Sequence, residues 1–184
     1  MCKLKVFVIS GEAQHGKDTS ALMMKEEIVT SGIDEKRILI THYGDLLKYI
    51  CKSFFFWDGV KDERGRTLLQ QVGTEIFRSK DTNYWTGFLT KIMGIIGDRF
   101  DYVLIPDTRF ENEITCWYRD GYSVTHIRVI RDGFQSGLTE EQRNHPSENA
   151  LNRMAPDICI HNDGTLEDLK EKIHMIMEDI LNGR

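Results

Sequence analysis

The strongest constraint on the fold lies near the amino terminus. There the apolar run Val6–Ile9 leads into Gly11-Glu-Ala-Gln-His-Gly16-Lys17-Asp18-Thr19, and a helical pattern starts at Lys17. Strand, glycine-bracketed loop and helix in that order are the context a G-x-x-x-x-G-K phosphate loop requires. The glycines let backbone N–H groups wrap a β-phosphate, and the lysine neutralises charge between the β- and γ-phosphates. Gly11, Gly16 and Lys17 take those parts, with Gln14 and His15 inside the loop. Asp18 stands where Ser or Thr is usual, and a carboxylate does not replace a hydroxyl there. Thr19 is therefore the better candidate for a phosphate or magnesium-water contact. The plainer alternative is a glycine turn that only caps a helix, with Asp18 and Thr19 as favourable first-turn residues.

A phosphate loop of this kind belongs to a parallel sheet, and the rest of the chain agrees. Short apolar runs predict strands at Leu4–Ile9, Arg37–His42, Tyr102–Ile105, Ser123–Val129 and Ile158–Ile160. Helical periods fall at Lys17–Ser31, Asp45–Phe55, Arg66–Lys80, Tyr84–Ile96, Asn112–Arg119, Ser147–Met154 and Leu166–Leu181. Alternation of this kind predicts an α/β fold with a doubly wound, five-stranded parallel sheet. The length of 184 residues suits a single domain. Two stretches exceed what the alternation needs. Residues 45–96 place extra helices between strands, as an acceptor-binding insertion would. Arg131–Pro146 is polar, charged and glycine-bearing, and reads as a flap or lid reaching to about residue 150.

Composition narrows the ligands. The sum of 24 Lys+Arg and 29 Asp+Glu is a net −5, which argues against a general nucleic-acid binder and leaves small anions to be met locally. The amino-terminal apolar run is too short for a signal-peptide core or a membrane span. Cys2, Cys51, Cys116 and Cys159 are scattered without a C-x-x-C pair, so neither a zinc site nor a disulfide framework is expected, and a reducing cytoplasm is the simplest compartment.

The next candidates are a carboxylate and a set of arginines. Asp101-Tyr-Val-Leu-Ile-Pro-Asp107 is an apolar strand ending in a carboxylate, which a parallel sheet would set beside the phosphate loop as a magnesium-water ligand. Asp107 is alternatively a cap for the Asn112 helix or a turn residue, and Arg109 and Glu113 are alternatively a local ion pair. Ten arginines occupy the stretch from Arg64 to Arg153, which holds only Lys80 and Lys91 among lysines. Arginine binds phosphate oxygens bidentately, so the block suggests a site handling several phosphates, with Arg99 and Arg119 the best examples of ordinary surface residues. Arg66, Gln70, Thr74 and Arg78 recur every fourth residue opposite Leu68, Leu69, Val72 and Ile76. That polar face either holds the phosphate and base of a second nucleotide or faces solvent. Tyr84 and Trp85 either stack on that base or fill the core, and at least one of them is expected in the core.

With these residues in view, the chain resembles the phage-type deoxynucleoside monophosphate kinases, a branch of the P-loop nucleoside monophosphate kinases. The resemblance runs nearly the whole length. It rests on G-K-D-T at Gly16–Thr19, G-D-L-L-K at Gly44–Lys48, G-R-T-L-L-Q-Q-V-G-T-E-I-F-R at Gly65–Arg78 with Trp85 after it, D-T-R-F-E-N-E at Asp107–Glu113 and H-P-S-E at His145–Glu148. The run D-I-C-I-H-N-D-G-T-L-E-D-L from Asp157 is similar to the last strand and turn of this family and of dephospho-coenzyme A kinases. Where family members often carry D-V-R-x-P-N-E, this chain has Thr108 and Glu111.

The resemblance implies transfer of the ATP γ-phosphate to a deoxynucleoside 5′-monophosphate, with Mg²⁺ as cofactor. It implies that Asp45, Lys48, Arg66, Gln70, Arg78 and Trp85 approach the acceptor, with Thr74 on the same stripe. Ser147 and Glu148 would belong to the acceptor or lid side, and Asn162 and Gly164 would lie near adenine. Arg128 and Arg131 would contact the transferring phosphates. Lys17 and magnesium would hold the donor, with Thr19 and Asp107 as metal ligands, directly or through water. Arg109, Arg128 or Arg131 would neutralise the migrating group. Competing readings are a kinase of dephospho-coenzyme A or phosphomevalonate, and a nucleotide-dependent switch. Small nucleotides are the expected partners, and a homodimer is common for small enzymes.

Overall fold

A computed structural model describes residues 4–134, 136–151 and 154–183. Cys2, the flap residue Gln135, Arg153 of the arginine block and the Asn152–Arg153 part of the expected Ser147–Met154 helix lie outside the described residues.

Five strands form one all-parallel sheet: β1 (Lys5–Ser10), β2 (Ile38–Ile40), β3 (Tyr102–Thr108), β4 (Ser123–Ile130) and β5 (Ile158–His161), in the order β2-β3-β1-β4-β5. The strand carrying the phosphate loop is therefore central. Its side chains alternate between two fully covered faces, as a parallel sheet demands. Val6 and Val8 join Val103, Ile105, Ile114 and Trp117 on one face, while Phe7 and Ile9 join Leu104, Ile127, Ile160 and Ile173 on the other.

Helices α1 (Lys17–Thr30) and α8 (Leu166–Leu181) cover the second face, and α2 (Gly44–Phe54), α4 (Tyr84–Ile96) and α5 (Asn112–Arg119) cover the first. Among the described residues, no helix is long and apolar enough to cross a membrane.

The structure departs from the sequence pattern in three places that matter for the site. The strand expected to end at Ile105 continues to Thr108. A register shift between Val8 and Ser10 on β1 skips Pro106 and resumes at Thr108. Proline, which has no N–H to give a ladder, is accommodated at such an irregularity. Second, the single helix expected over Arg66–Lys80 begins earlier as α3 (Glu63–Gln70) and continues as a π-wound segment, Gln71–Arg78. Ile76, expected on the apolar side, is exposed, and Phe77 packs on the core instead. Wider winding rotates the buried face by about one residue relative to an α-helix. Third, the flap contains two short helices, α6 (Glu140–Asn144) and α7 (Pro146–Asn149). Helix α6 opens with a reciprocal capping box between Thr139 and Gln142, the pattern Thr-x-x-Gln that marks a helix start.

Candidate active site

The phosphate loop is built by β1 handing directly to α1. Gly11 has φ +143°, and a Cβ there would stand 2.3 Å from the Val129 carbonyl oxygen, so only glycine fits where the loop crosses β4. Gly16 has φ +96°, and its missing Cβ leaves room for the Asn162 amide. That amide donates to the His15 carbonyl at 3.0 Å, so Asn162, at the end of β5, braces the loop from behind. Gln14 adopts φ 66°, a left-handed conformation uncommon outside glycine. The Lys17 ammonium lies within the loop on the carbonyls of Gly11 and Glu12, at 2.8 and 2.7 Å. Burial, with help from the neighbouring Arg109 charge, lowers its pKa to about 8.

The loop opens onto a cavity of about 610 Å³. Gln14, Lys17 and Asp18 line one side of it. Arg66, Gln70, Thr74 and Arg78 line another, so the every-fourth-residue stripe does face one cavity. An α-helical stripe at i+4 drifts one way around its axis and a π-helical one drifts the other, so the change of winding at Gln71 keeps the four residues aligned. Lys48, Trp85, Asp107, Arg109, Ser147 and Glu148 complete the candidates that meet there. Trp85 is mainly a core residue. It is buried among Phe77 and Tyr84, and its indole N–H donates to the Gly73 carbonyl at 3.0 Å.

Other candidates lie around this cavity rather than in its wall. Asp45 is exposed at the start of α2, paired with Lys48 at 2.8 Å and 3.4 Å from the His42 ring. Thr19 is half-buried in the first turn of α1. Gly164 sits in the turn before α8, which is closed by a capping box between Thr165 and Asp168. His15 is buried, and its Nδ1 accepts the Arg131 backbone N–H at 3.2 Å; the Arg131 guanidinium stacks over Phe134.

Arg128 lines a neighbouring cavity of about 200 Å³ together with Gly11, Arg109, Ser147 and Glu148. Its guanidinium donates to the carbonyls of Leu151 and Met154, tying the end of the flap to β4. Of the arginine block, Arg66, Arg78, Arg109 and Arg128 line these two cavities, whereas Arg64, Arg99, Arg119 and Arg143 are exposed.

The carboxylates have settled partners. Asp107 accepts the N–H groups of Tyr43 (3.0 Å) and Gly44 (2.8 Å), and so caps α2 from the neighbouring strand rather than the Asn112 helix. Asp18 pairs with His42 at 2.9 Å. That hydrogen bond holds the imidazole above its ordinary range and the carboxyl below its own. Glu113 does not pair with the Arg109 guanidinium. It binds Arg78, while Arg109 reaches across to Glu148 and to the Ser147 carbonyl at 3.2 Å.

Among the cavity residues not expected as site residues from the sequence, four carry titratable side chains: His42, Tyr43, Lys61 and Glu113. Lys61, in the loop before α3, stands near Lys48, Arg66 and Asp18, and its pKa is lowered chiefly by burial. Glu113 had a visible signal, because it closes the D-T-R-F-E-N-E run. Lys61 had none, since only folding brings its loop beside the phosphate loop.

Described residues of the expected flap contact both sides of this arrangement. The Gln14 side chain accepts the Gly137 N–H at 3.2 Å on the phosphate-loop side. On the other side Gln142, almost fully buried, donates to the Glu63 carbonyl (3.0 Å) and the Thr67 hydroxyl (3.1 Å), while Gln70 donates to the Gln142 carbonyl (3.3 Å).

Comparison with known proteins follows the same lines. A sequence model described as deoxynucleotide monophosphate kinase matches residues 56–173, a segment that starts after the phosphate loop and holds the stripe, the β3 end and the flap. The deoxynucleotide monophosphate kinase of Escherichia phage RB69 is 36% identical over 114 residues, covering 61% of this chain and 44% of the relative. That of Enterobacteria phage T4 is 34% identical over 110 residues, covering 59% and 43%. The chain thus spans under half the length of these curated relatives. Among solved structures, dephospho-CoA kinase from Campylobacter jejuni has a TM-score of 0.53 at 12% identity, covering 96% of this chain and 97% of that one. The APS kinase of Mycobacterium tuberculosis in complex with AMPPNP and APS has a TM-score of 0.52 at 9% identity, covering 97% and 99%. These two likenesses concern the fold alone. The match over residues 56–173 takes in well over half of the chain, and by it the chain belongs to the deoxynucleotide monophosphate kinase family.

Proposed function

We propose that this chain transfers the γ-phosphate of ATP to a deoxynucleoside 5′-monophosphate, giving ADP and the deoxynucleoside diphosphate. The observation that carries this reading is one cavity in which Lys17 and the phosphate loop confront the Arg66, Gln70, Thr74 and Arg78 stripe beneath the segment 131–150. A nucleotide-dependent switch has no use for a second polar, cationic wall opposite its phosphate loop.

The chemistry asks mainly for position and charge. An acceptor phosphate oxygen is already anionic near neutral pH, so it attacks the γ-phosphorus in line without a strong general base, and the bond to the β-γ bridging oxygen breaks. Gly11, Gln14, His15, Gly16, Lys17, Asp18 and Thr19 hold the donor phosphates, with Asn162 and Gly164 on the adenine side. Asp45, Lys48, Arg66, Gln70, Thr74, Arg78, Trp85, Ser147 and Glu148 form the acceptor side. Arg109 neutralises the migrating group, supported by Arg128 and Arg131. The lid, docked through Gln14 and Gln142, excludes water that would otherwise take the phosphoryl group.

Magnesium fits this donor set. Asp107 and Thr19 offer hard oxygen ligands, and both Asp107 oxygens keep a free lone pair after binding one N–H each. Among the described residues, no group of three or more His, Cys, Asp or Glu is set to hold a metal unaided. Magnesium commonly binds through one or two protein oxygens, with water and substrate phosphates completing its shell. When bound, it screens the charge on the donor phosphates.

The test is ADP release with dAMP, dCMP, dGMP and dTMP, the matching ribonucleotides, dephospho-coenzyme A and phosphomevalonate. Turnover with at least one deoxynucleotide, well above acceptor-free hydrolysis, is the expected result. No turnover with any of the four would end the proposal.

A further inference from the structure

Glu113 presents a physical puzzle. It is 2% exposed in the first turn of α5, where an isolated carboxylate would be costly. Burial pushes its pKa up to about 7 despite the adjacent Arg78 cation. A helix cap alone does not explain it, since one neutral oxygen would serve that purpose.

The two oxygens of Glu113 do different things. Oε2 accepts the backbone N–H groups of Arg109 (2.7 Å) and Phe110 (3.1 Å), which sets the turn leaving β3. Oε1 accepts from the Arg78 guanidinium, at the far end of the π-wound segment. That guanidinium lies 3.9 Å from the centre of the Phe110 ring, so the turn that Glu113 holds also supplies the surface on which Arg78 rests. Asn112 repeats the pattern one residue earlier. Its Oδ1 is 3.5 Å from Arg78 Nη1, and its amide donates to the Thr82 carbonyl at 2.7 Å, the carbonyl that also accepts from Arg78 at 3.3 Å.

Arginine has five N–H donors. Three are engaged by Glu113, Thr82 and Asn112 among the described residues, which leaves two on a side chain that lines the cavity. A buried ion pair is weak evidence for stability, because apolar side chains of similar volume serve a core as well. A pair whose cation lines the cavity opposite the phosphate loop has a clearer use. It fixes a planar fork in advance, so less rotamer entropy is lost when an anion arrives.

We propose that Glu113 is a positioning residue for the acceptor. One carboxylate sets the spacing between Arg78 on the insertion and Arg109 at the β3 end, and acceptor-phosphate recognition by Arg78 depends on it. This rests on the phosphotransferase reading above, and it adds a residue that acts through the placement of Arg78 and Arg109.

The test is a double-mutant cycle with Glu113→Gln and Arg78→Met, using whichever of the four deoxynucleotides turns over fastest. Glutamine keeps an oxygen for the two backbone N–H groups and removes the charge that holds Arg78. Glu113→Gln is expected to raise the acceptor KM about tenfold and leave the ATP KM within about twofold, and the double variant to be no worse than Arg78→Met alone. Glu113→Asp, which keeps the charge but shortens the reach, should fall between wild type and Glu113→Gln, and it carries the test if the glutamine variant folds poorly.

Three results overturn the inference: an acceptor KM unchanged in both Glu113 variants, losses that multiply in the double variant, or equal changes in both KM values. A wild-type chain that phosphorylates no deoxynucleotide removes the parent reading and this inference with it. An active wild type with a multiplicative cycle removes this inference alone.

Discussion

At the scale of single residues, the site is a set of charges whose surroundings decide their use. Lys17 is buried in a loop whose two essential glycines are held by contacts with β4 and β5. Lys17→Ala should leave the far-ultraviolet circular dichroism of the protein intact and lower kcat/KM by roughly 100-fold or more, in line with the loss of one charge-stabilising donor. Near-full turnover in that variant would show that the loop does not hold the transferring phosphates.

Glu113 offers a pH-dependent counterpart. Its neighbours are Arg78, the Arg109 and Phe110 backbone, the Asp107 carboxylate and the Tyr43 phenol, which donates to its carbonyl. The folded pKa of about 7 lies above the ordinary value of 4.5. The folded state therefore binds the extra proton between those values, so the stabilisation is complete below about pH 4.5 and is lost as pH rises through about 7. Relative to Glu113→Gln, the wild type should gain up to about 3 kcal/mol as the pH is lowered from about 8 to about 5. Thermal melts of the two proteins across that range measure it, and a constant gap would mean that the carboxylate stays ionised throughout.

At the scale of elements, the expected flap and helix α3 meet around one residue, Gln142. Gln142 caps its own helix and reaches Glu63 and Thr67 on α3, the helix that carries Arg66 and Gln70. Gln142→Ala leaves those partners without their hydrogen bonds, a loss of about 1–3 kcal/mol at a buried site. If this segment acts as the proposed lid, loosening it from α3 should raise ATP hydrolysis in the absence of acceptor and lower the efficiency of transfer when acceptor is present. Coupled assays of ADP release against diphosphate product read both. If the ratio of hydrolysis to transfer is unchanged, this contact does not govern closure. The Thr139-Glu-Glu-Gln142 capping box lies in a segment that the sequence marks only as a polar flap. The π winding at Gln71–Arg78 was not legible, since a four-residue stripe looks the same on paper under either winding.

At the scale of the whole molecule, the sheet separates two tasks. The face covered by α2, α4 and α5 includes Tyr43 and Trp85, which border the large cavity, whereas no core residue of the face covered by α1 and α8 lines it. Ile173, fully buried on α8, belongs to the second. Ile173→Ala should cost about 2–5 kcal/mol in urea unfolding yet leave kcat and both KM values unchanged under conditions where the variant is folded. A selective rise in one KM would mean that the two faces are coupled through the sheet.

Local chemistry along the chain was enough to place the five parallel strands, the glycine-bracketed loop and the every-fourth-residue polar stripe, though not the direction in which that stripe faces. Apolar runs that must be buried, glycines that must approach backbone and a polar residue every fourth position are all readable without neighbours. Only the tertiary structure decided which charges meet. Asp107 turned to α2 instead of the nearer helix, Arg109 passed over Glu113 for Glu148, Arg128 was drawn to the end of the flap, and Lys61 came to the cavity from an unremarked loop. Pairing energies fall off within a few ångströms, while the residues concerned lie tens of positions apart, so no pattern in the chain specifies them until the sheet order has brought the strand ends together.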